Sequence, residues 1–129
     1  MDVTPLVGDG VQIIHGYSES GFRIADVVIA GPVLVSHDQT LPWSLDEEAL
    51  NWTELDVESF RPLFEIDSSL DVLLIGTGAR QAFIPHRIRD QIRAMGPVAE
   101  IMDTGAACRT FNVLLAEGRR VAAALVPAR

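Results

Sequence analysis

The sequence predicts an α/β fold in which a β-rich N-terminal part is followed by a βαβαβ C-terminal part. Three observations carry this expectation. The chain has 129 residues, 48% of them hydrophobic, the size of one globular domain with enough apolar surface for a core, so residues 1–129 are expected to form a single domain. Its first third is a series of short β-branched runs bounded by Gly, Ser, Asp and Pro. Its second half alternates continuous apolar runs with longer stretches of helical period.

From the N-terminus onward, VQIIHGY (Val11–Tyr17), FRIADVVIA (Phe22–Ala30) and PVLVS (Pro32–Ser36) read as successive strands with tight turns, in part antiparallel. Between Trp43 and Asp56 the sequence becomes acidic and loses any clear period, as expected of a surface loop whose two tryptophans tuck inward. Asp56 has the character of an N-cap for a short helix beginning at Val57, and Pro62 is expected to kink or break its last turns. DVLLIG (Asp71–Gly76) is a continuous apolar strand of the parallel kind, covered on both faces. Ile84, Ile88 and Ile92 at four-residue spacing, with Pro85 near the start, predict a helix from about Pro85 to Met95. Gly96 ends it, and Val98–Met102 is the next strand, parallel to the first. Ala107, Phe111, Leu114 and Leu115 then share one face of a second helix that stops at Gly118, before VAAALV (Val121–Val126) supplies the last strand.

Composition narrows the function classes. The most apolar stretch, VVIAGPVLV (Val27–Val35), is far shorter than a membrane span, and MDVTPLVGDGVQ at the start has no basic segment followed by an apolar run. A soluble, cytoplasmic protein with no transmembrane segment is expected. One cysteine excludes an internal disulfide, and His15, His37 and His86 stand apart with no metal-site spacing, so neither a metal nor a cofactor is expected. The net charge of −8 is unevenly placed: residues 1–75 hold fourteen acids against Arg23 and Arg61, whereas residues 76–129 hold eight arginines against four acids. The acidic excess argues against general nucleic-acid binding. The basic half offers planar arginine forks to an anionic ligand or an acidic partner, although charge alone favours a solvated helix face.

In a βαβ unit both strands end at the same sheet edge, where ligands bind in open α/β sheets. The loops leaving that edge are GTGARQAF (Gly76–Phe83) and DTGAA (Asp103–Ala107). The candidate ligand or interaction residues are Gly76, Thr77, Gly78 and Arg80 on the first. On the second and its helix they are Asp103, Thr104, Gly105, Cys108, Arg109, Thr110 and Asn112. Helical N–H groups from about Gly105 to Ala107 would favour an anion, and Gly76 and Gly78 would let backbone approach a ligand closely. The structural alternative makes Asp103 or Thr104 an N-cap and the glycines mere turn residues, and the residues alone favour it. The GTG string is not a dinucleotide fingerprint, since Ala79, Arg80 and Gln81 follow, nor a P-loop, since the chain has no lysine.

Cys108, in the first turns of a helix with Arg109 adjacent, has one feature of a thiolate nucleophile. It also lies beside the apolar stripe, where an unpaired cysteine behaves as a small hydrophobe. We expect it to be inert, and no catalytic residue is assigned. Thr110 and Asn112 are weak helix formers inside a helix and need partners. We expect Asn112 to bond backbone groups of the GTG loop and lock the two loops together, with Glu117 and Arg119 doing likewise at the far end. The other account has Thr77, Thr110 and Asn112 face a cleft.

The strings LLIGTG and VAEIMDTGAACRTFNVLLAEGRRVAAAL resemble a small α/β family of bacterial, archaeal and mitochondrial proteins known as a domain of unknown function. Its mitochondrial member is an assembly factor for respiratory complex I (NADH dehydrogenase). The likeness is close over the second half and looser over the first. It rests on Gly76, Thr77 and Gly78, then on Asp103, Thr104, Ala107, Cys108, Thr110, Asn112, Glu117, Gly118 and Arg119; the absence of lysine departs from it. The resemblance implies a three-layer α/β domain with a central mixed sheet. It implies a non-enzymatic module whose partner is another protein, a respiratory-complex subunit or another assembly factor, with a peripheral place at the inner membrane through that partner. It implies no established catalytic residue, cofactor or substrate. A small-ligand or anion-binding domain using loops 76–80 and 103–109 is the alternative, and an enzyme using Cys108 or Asp103 stands third.

Overall fold

The computed structural model describes residues 4–7 and 10–129; residues 1–3 and 8–9, within the stretch read above for a leader, lie outside them. Strands β1 (Ile14–Tyr17), β2 (Gly21–Ile24) and β3 (Val27–Ala30) form an antiparallel three-stranded sheet. The run Phe22–Ala30 is therefore a hairpin and not the one strand expected. Ala25 and Asp26 both have positive φ, 47° and 66°, as the two central residues of a type I′ turn require. Ala-Asp is a weak turn signal, and the β-branched residues on either side hide it.

The second sheet is mixed, as the resemblance implied. Its strands are β4 (Val33–Val35), β5 (Thr40–Pro42), β6 (Val72–Gly76), β7 (Val98–Met102) and β8 (Val121–Leu125), in the order β5-β4-β8-β6-β7. β6 pairs parallel with both β7 and β8, while β4 runs antiparallel to β8 and β5. Three α-helices accompany it: α1 (Arg61–Ile66), α2 (His86–Met95) between β6 and β7, and α3 (Thr104–Ala116) between β7 and β8. No helix among the described residues is long and apolar enough to cross a membrane.

Alternation along the strands divides the interior into two cores. Leu34, Leu73, Ile75, Ala122 and Ala124 face α1, α2 and the 43–60 segment, where Ile88, Ile92, Phe60 and Leu63 meet them. Val33, Val35, Leu74, Val121, Ala123 and Leu125 face α3 and the three-stranded sheet, against Ala107, Phe111, Phe22 and Ile24. These are the three layers. Every residue of β8 is buried, and its run of alanines lets both outer layers approach the sheet. Fully buried aromatics such as Phe60 and Phe111 each stabilise the fold by about 1.5–3 kcal/mol.

The acidic 43–56 segment is more ordered than expected. It makes two 3₁₀ turns, Glu47–Ala49 and Trp52–Glu54, in which the Glu48 and Thr53 N–H groups donate to the side chains of Asp46 and Asn51. Trp43 is buried, lies 5.4 Å from Phe60 and 6.2 Å from the partly buried Trp52, and donates its Nε1–H to Ser59. Asp56 does cap the next turn, accepting from the Glu58 N–H at 2.9 Å. That turn, Val57–Phe60, is 3₁₀, and Pro62 lies in the first turn of α1 instead of breaking a helix. A proline there lacks only an N–H that has no helical partner. At the other end of the chain α3 closes in a Schellman motif, with Gly118 N–H on the Leu115 carbonyl and Arg119 N–H on that of Leu114.

Candidate functional site

Parallel pairing brings the ends of β6 and β7 to one edge, with Gly76 opposite Met102, so the two candidate loops are neighbours. The Thr77 N–H donates to the Met102 carbonyl at 3.0 Å, and the Thr104 N–H to the Gly78 carbonyl at 2.8 Å. The side chain that joins them is Thr104. Fully buried, its hydroxyl accepts from the Gly78 N–H at 2.8 Å and donates to the Val126 carbonyl at 2.7 Å. Thr77 serves mainly its own loop, donating to the Arg80 carbonyl at 2.8 Å and accepting from the Ala82 N–H at 2.9 Å, with the Met102 carbonyl a more distant acceptor at 3.3 Å.

The glycines are fitted to this packing. A Cβ on Gly76 would lie 2.8 Å from Leu125 Cδ2 and 3.0 Å from Thr104 Cα, and Gly78 has φ +100°. A Cβ on Gly105 would lie 2.5 Å from the Tyr17 hydroxyl, which also accepts from Arg109 Nη1 at 3.3 Å.

Asp103 is the N-cap of α3. Its carboxylate accepts from the Ala106 N–H at 2.9 Å, and its carbonyl accepts from the Ala107 N–H. The negative charge at the helix start is thus the chain's own. Arg80 is exposed and enters the network only through its carbonyl. Thr110, half-buried in mid-helix, takes no part in the bonds that join the loops. Cys108 is 2% exposed; burial pushes its thiol pKa up, with Asp103 adding to and Arg109 opposing that shift, to about 12. A thiol so placed is protonated at neutral pH and has no access to a substrate in solution.

Asn112 does not lock the loops, contrary to expectation. Its Oδ1 accepts from the Ile14 N–H at 2.9 Å and its Nδ2 donates to the Ile14 carbonyl at 2.8 Å, so it holds the edge of β1 against α3. The reason is distance: Asn112 is eight residues beyond Thr104, about 12 Å along the helix axis, out of reach of a loop packed on the helix start. Among the described residues Glu117 and Arg119 supply no matching side-chain lock; backbone bonds of the Schellman turn close that end.

The residues that sequence reasoning missed come from far along the chain. Tyr17 reaches the site across 92 positions. The tail after β8 folds over the GTG loop, with the Val126 N–H on the Gly76 carbonyl and the Ala128 N–H on the Ser18 carbonyl. Arg129 binds the Glu47 carboxylate and the Glu19 carbonyl. Beside this tail runs a groove of about 400 Å³ lined by Glu47, Glu48, Trp52, Thr77 and Pro127. Its wall carries the Glu47 and Glu48 carboxylates together with the Arg129 guanidinium, which is paired with Glu47. No local pattern in the sequence marks either Tyr17 or the tail.

The family of proteins of unknown function DUF498/DUF598 matches residues 14–126, which span both sheets and all three helices. The chain belongs to the DUF498/DUF598 family. Among DUF498/DUF598 relatives, an uncharacterised protein of Rhodobacter capsulatus is 36% identical over 118 residues, covering 92% of this chain and 86% of that protein. The NADH dehydrogenase [ubiquinone] 1 alpha subcomplex assembly factor 3 of Danio rerio is 33% identical over 115 residues, covering 89% of this chain but only 64% of the relative. The crystal structure of an outer membrane protein from Bartonella henselae superposes with a TM-score of 0.78 at 33% identity, over 95% of this chain and 99% of that one. The DUF498/DUF598 assignment thus rests on nearly the whole chain, including the β-rich part whose sequence likeness was looser.

Proposed function

We propose that this chain is a non-enzymatic protein-interaction module that serves the assembly of respiratory complex I. The observation that carries this reading is the 33% identity, over 89% of this chain, to the Danio rerio protein named as an assembly factor of NADH dehydrogenase. The geometry is consistent with it. Thr77, Gly78, Asp103 and Thr104 spend their hydrogen bonds within the fold. Conspicuous apolar side chains left to solvent are Phe83, 72% exposed at the end of the Gly76–Phe83 loop, and Val28, 81% exposed on β3. Aromatic residues and arginine are both enriched at protein interfaces, and the loop that ends in Phe83 also carries the exposed Arg80. The partner would be a complex I subunit or another assembly factor, met at the cytoplasmic side of the inner membrane. A ligand site built from loops 76–80 and 103–109 has less support, because the Gly78, Ala106 and Ala107 N–H groups already donate to Thr104 and Asp103.

Deletion of the gene in its source organism tests the proposal. Assembled complex I on native gels and NADH–quinone oxidoreductase activity in membranes should both fall, and the wild-type gene should restore both. Phe83→Asp should restore less, while its purified product unfolds at the wild-type midpoint. Complex I present in normal amount in the deletion strain would overturn the reading.

A further inference from the structure

At the sheet edge opposite the two loops, before β6 and β8 begin, lies a cavity of about 300 Å³. Four segments meet there: Val11 ahead of β1, His37 in the β4–β5 turn, Asp67 behind α1, and Leu115, Arg119 and Arg120 from the end of α3 and the turn into β8. The Gln12 N–H bonds the His37 carbonyl at 3.3 Å, and the Asp71 N–H bonds the Arg120 carbonyl at 2.9 Å, so the walls are tied to one another. The lining is mainly apolar, and its charged groups are two guanidiniums against one carboxylate, in a chain whose net charge is −8.

The carboxylate fixes one of those guanidiniums. Asp67 is buried and accepts from the Ser69 N–H at 2.9 Å, the Ser69 hydroxyl at 2.6 Å and Arg120 Nη2 at 2.8 Å. One edge of Arg120 is thereby held, while a guanidinium has five N–H donors in a rigid fork. The Arg119 side chain makes no hydrogen bond among the described residues. His37 faces the same space, 3.7 Å from Asp38.

We propose that this cavity binds a small carboxylate monoanion with a short aliphatic body, its head on Arg119 and Arg120 and its body against Leu115 and Val11. Arginine forks match a carboxylate in bidentate geometry. A monoanion is favoured over a dianion because Asp67 already places one negative charge at Arg120. The volume corresponds to roughly ten water molecules at about 30 Å³ each, hence a ligand on the order of ten non-hydrogen atoms. The inference does not depend on the assembly role, since it concerns a different edge of the molecule.

The test is titration of the ¹⁵N-labelled full chain with octanoate, and in parallel with n-octanol and with inorganic phosphate, followed by amide chemical shifts. Octanoate should give saturable shifts at Val11, His37 and Gly118–Arg120, and the other two probes should bind about tenfold or more weakly, since each offers only tail or only charge. Arg119→Gln should weaken octanoate by about tenfold, and Val11→Asp, which adds a negative charge at an exposed rim position, should do the same. Octanol matching octanoate would overturn the proposal by showing an apolar cleft that reads no head group. Phosphate binding as tightly, shifts scattered over other surfaces, or wild-type affinity in Arg119→Gln would overturn it equally.

Discussion

Replacing Thr104 by valine removes the latch between the two loops while nearly preserving its shape. The residue is fully buried, and its hydroxyl is bonded to the Gly78 N–H at 2.8 Å and the Val126 carbonyl at 2.7 Å. Valine leaves almost no cavity, so the cost comes from two stranded backbone groups. A buried group without a partner costs about 1–3 kcal/mol, which gives about 2–6 kcal/mol for the pair. That is a large share of the roughly 5–15 kcal/mol that holds a domain together. Thr104→Ser is the control: it keeps the hydroxyl and loses one methyl, about 1 kcal/mol. Equilibrium urea unfolding should therefore rank wild type above serine, and serine well above valine. Amide exchange in the valine variant should speed up first at Gly78. If Thr104→Val unfolds within about 0.5 kcal/mol of wild type, the range of an ordinary surface change, the hydroxyl is not what joins the loops.

Four further outcomes follow from the same geometry. Asn112→Ala should lose about 1–3 kcal/mol and speed amide exchange at Ile14, whose two edge groups it serves; equal speeding at Gly78 would restore the two-loop lock that the structure denies it. Gly105→Ala drives a Cβ to 2.5 Å from the hydroxyl of Tyr17, the far end of a side chain that is 43% exposed and can swing aside, while alanine in a helix gains about 1 kcal/mol over glycine, so urea unfolding should show a net change within about 1 kcal/mol; a loss of about 2 kcal/mol or more, recovered by adding Tyr17→Ala, would mean that Tyr17 is held rigidly against α3. Cys108, buried and with its thiol held near 12, should react with a thiol reagent at neutral pH only as fast as the protein unfolds, so labelling at the rate of a free thiol contradicts the assignment. For Asp67, burial raises the pKa but the bonds from Ser69 and Arg120 outweigh it and bring it from 3.8 to about 2. A folded pKa below the unfolded one stabilises above the unfolded value and fades as pH falls from about 4 to about 2. Thermal melts of wild type and Asp67→Asn should accordingly converge across that window, and a constant gap would show that Asp67 is not ionised by its partners.

What was legible in the sequence is what burial repeats. Ile88 and Ile92 return to one face of α2, with Ile84 joining the same core from just ahead of the helix, and Leu73, Leu74 and Ile75 are covered on both faces of β6. A residue pattern records both facts directly, and so β6, α2, β7, α3 and β8 were placed from sequence within a residue or two. Single events leave no such record. The Ala25–Asp26 turn is one pair of dihedrals inside a β-branched run, and the effect of Pro62 depends on where a helix begins, which Asp56 blurs by capping a 3₁₀ turn first.

The candidate site divides along the same line. Asp103 was readable as a cap because a cap acts on its own next three residues. The partner of Asn112 was not, because its amide acts across 98 positions, and a weak helix former in mid-helix announces a need without naming what meets it. Only the rise of the helix decides between the alternatives, since a side chain at the first position of α3 can touch the GTG loop and one two turns on cannot. Applied to Thr110, the same reasoning places it about 9 Å from Thr104 along the axis, too far for the loops and on a half-buried face. Thr110 therefore has no part in the packing of the loop junction, and its role belongs to what α3 presents outside it.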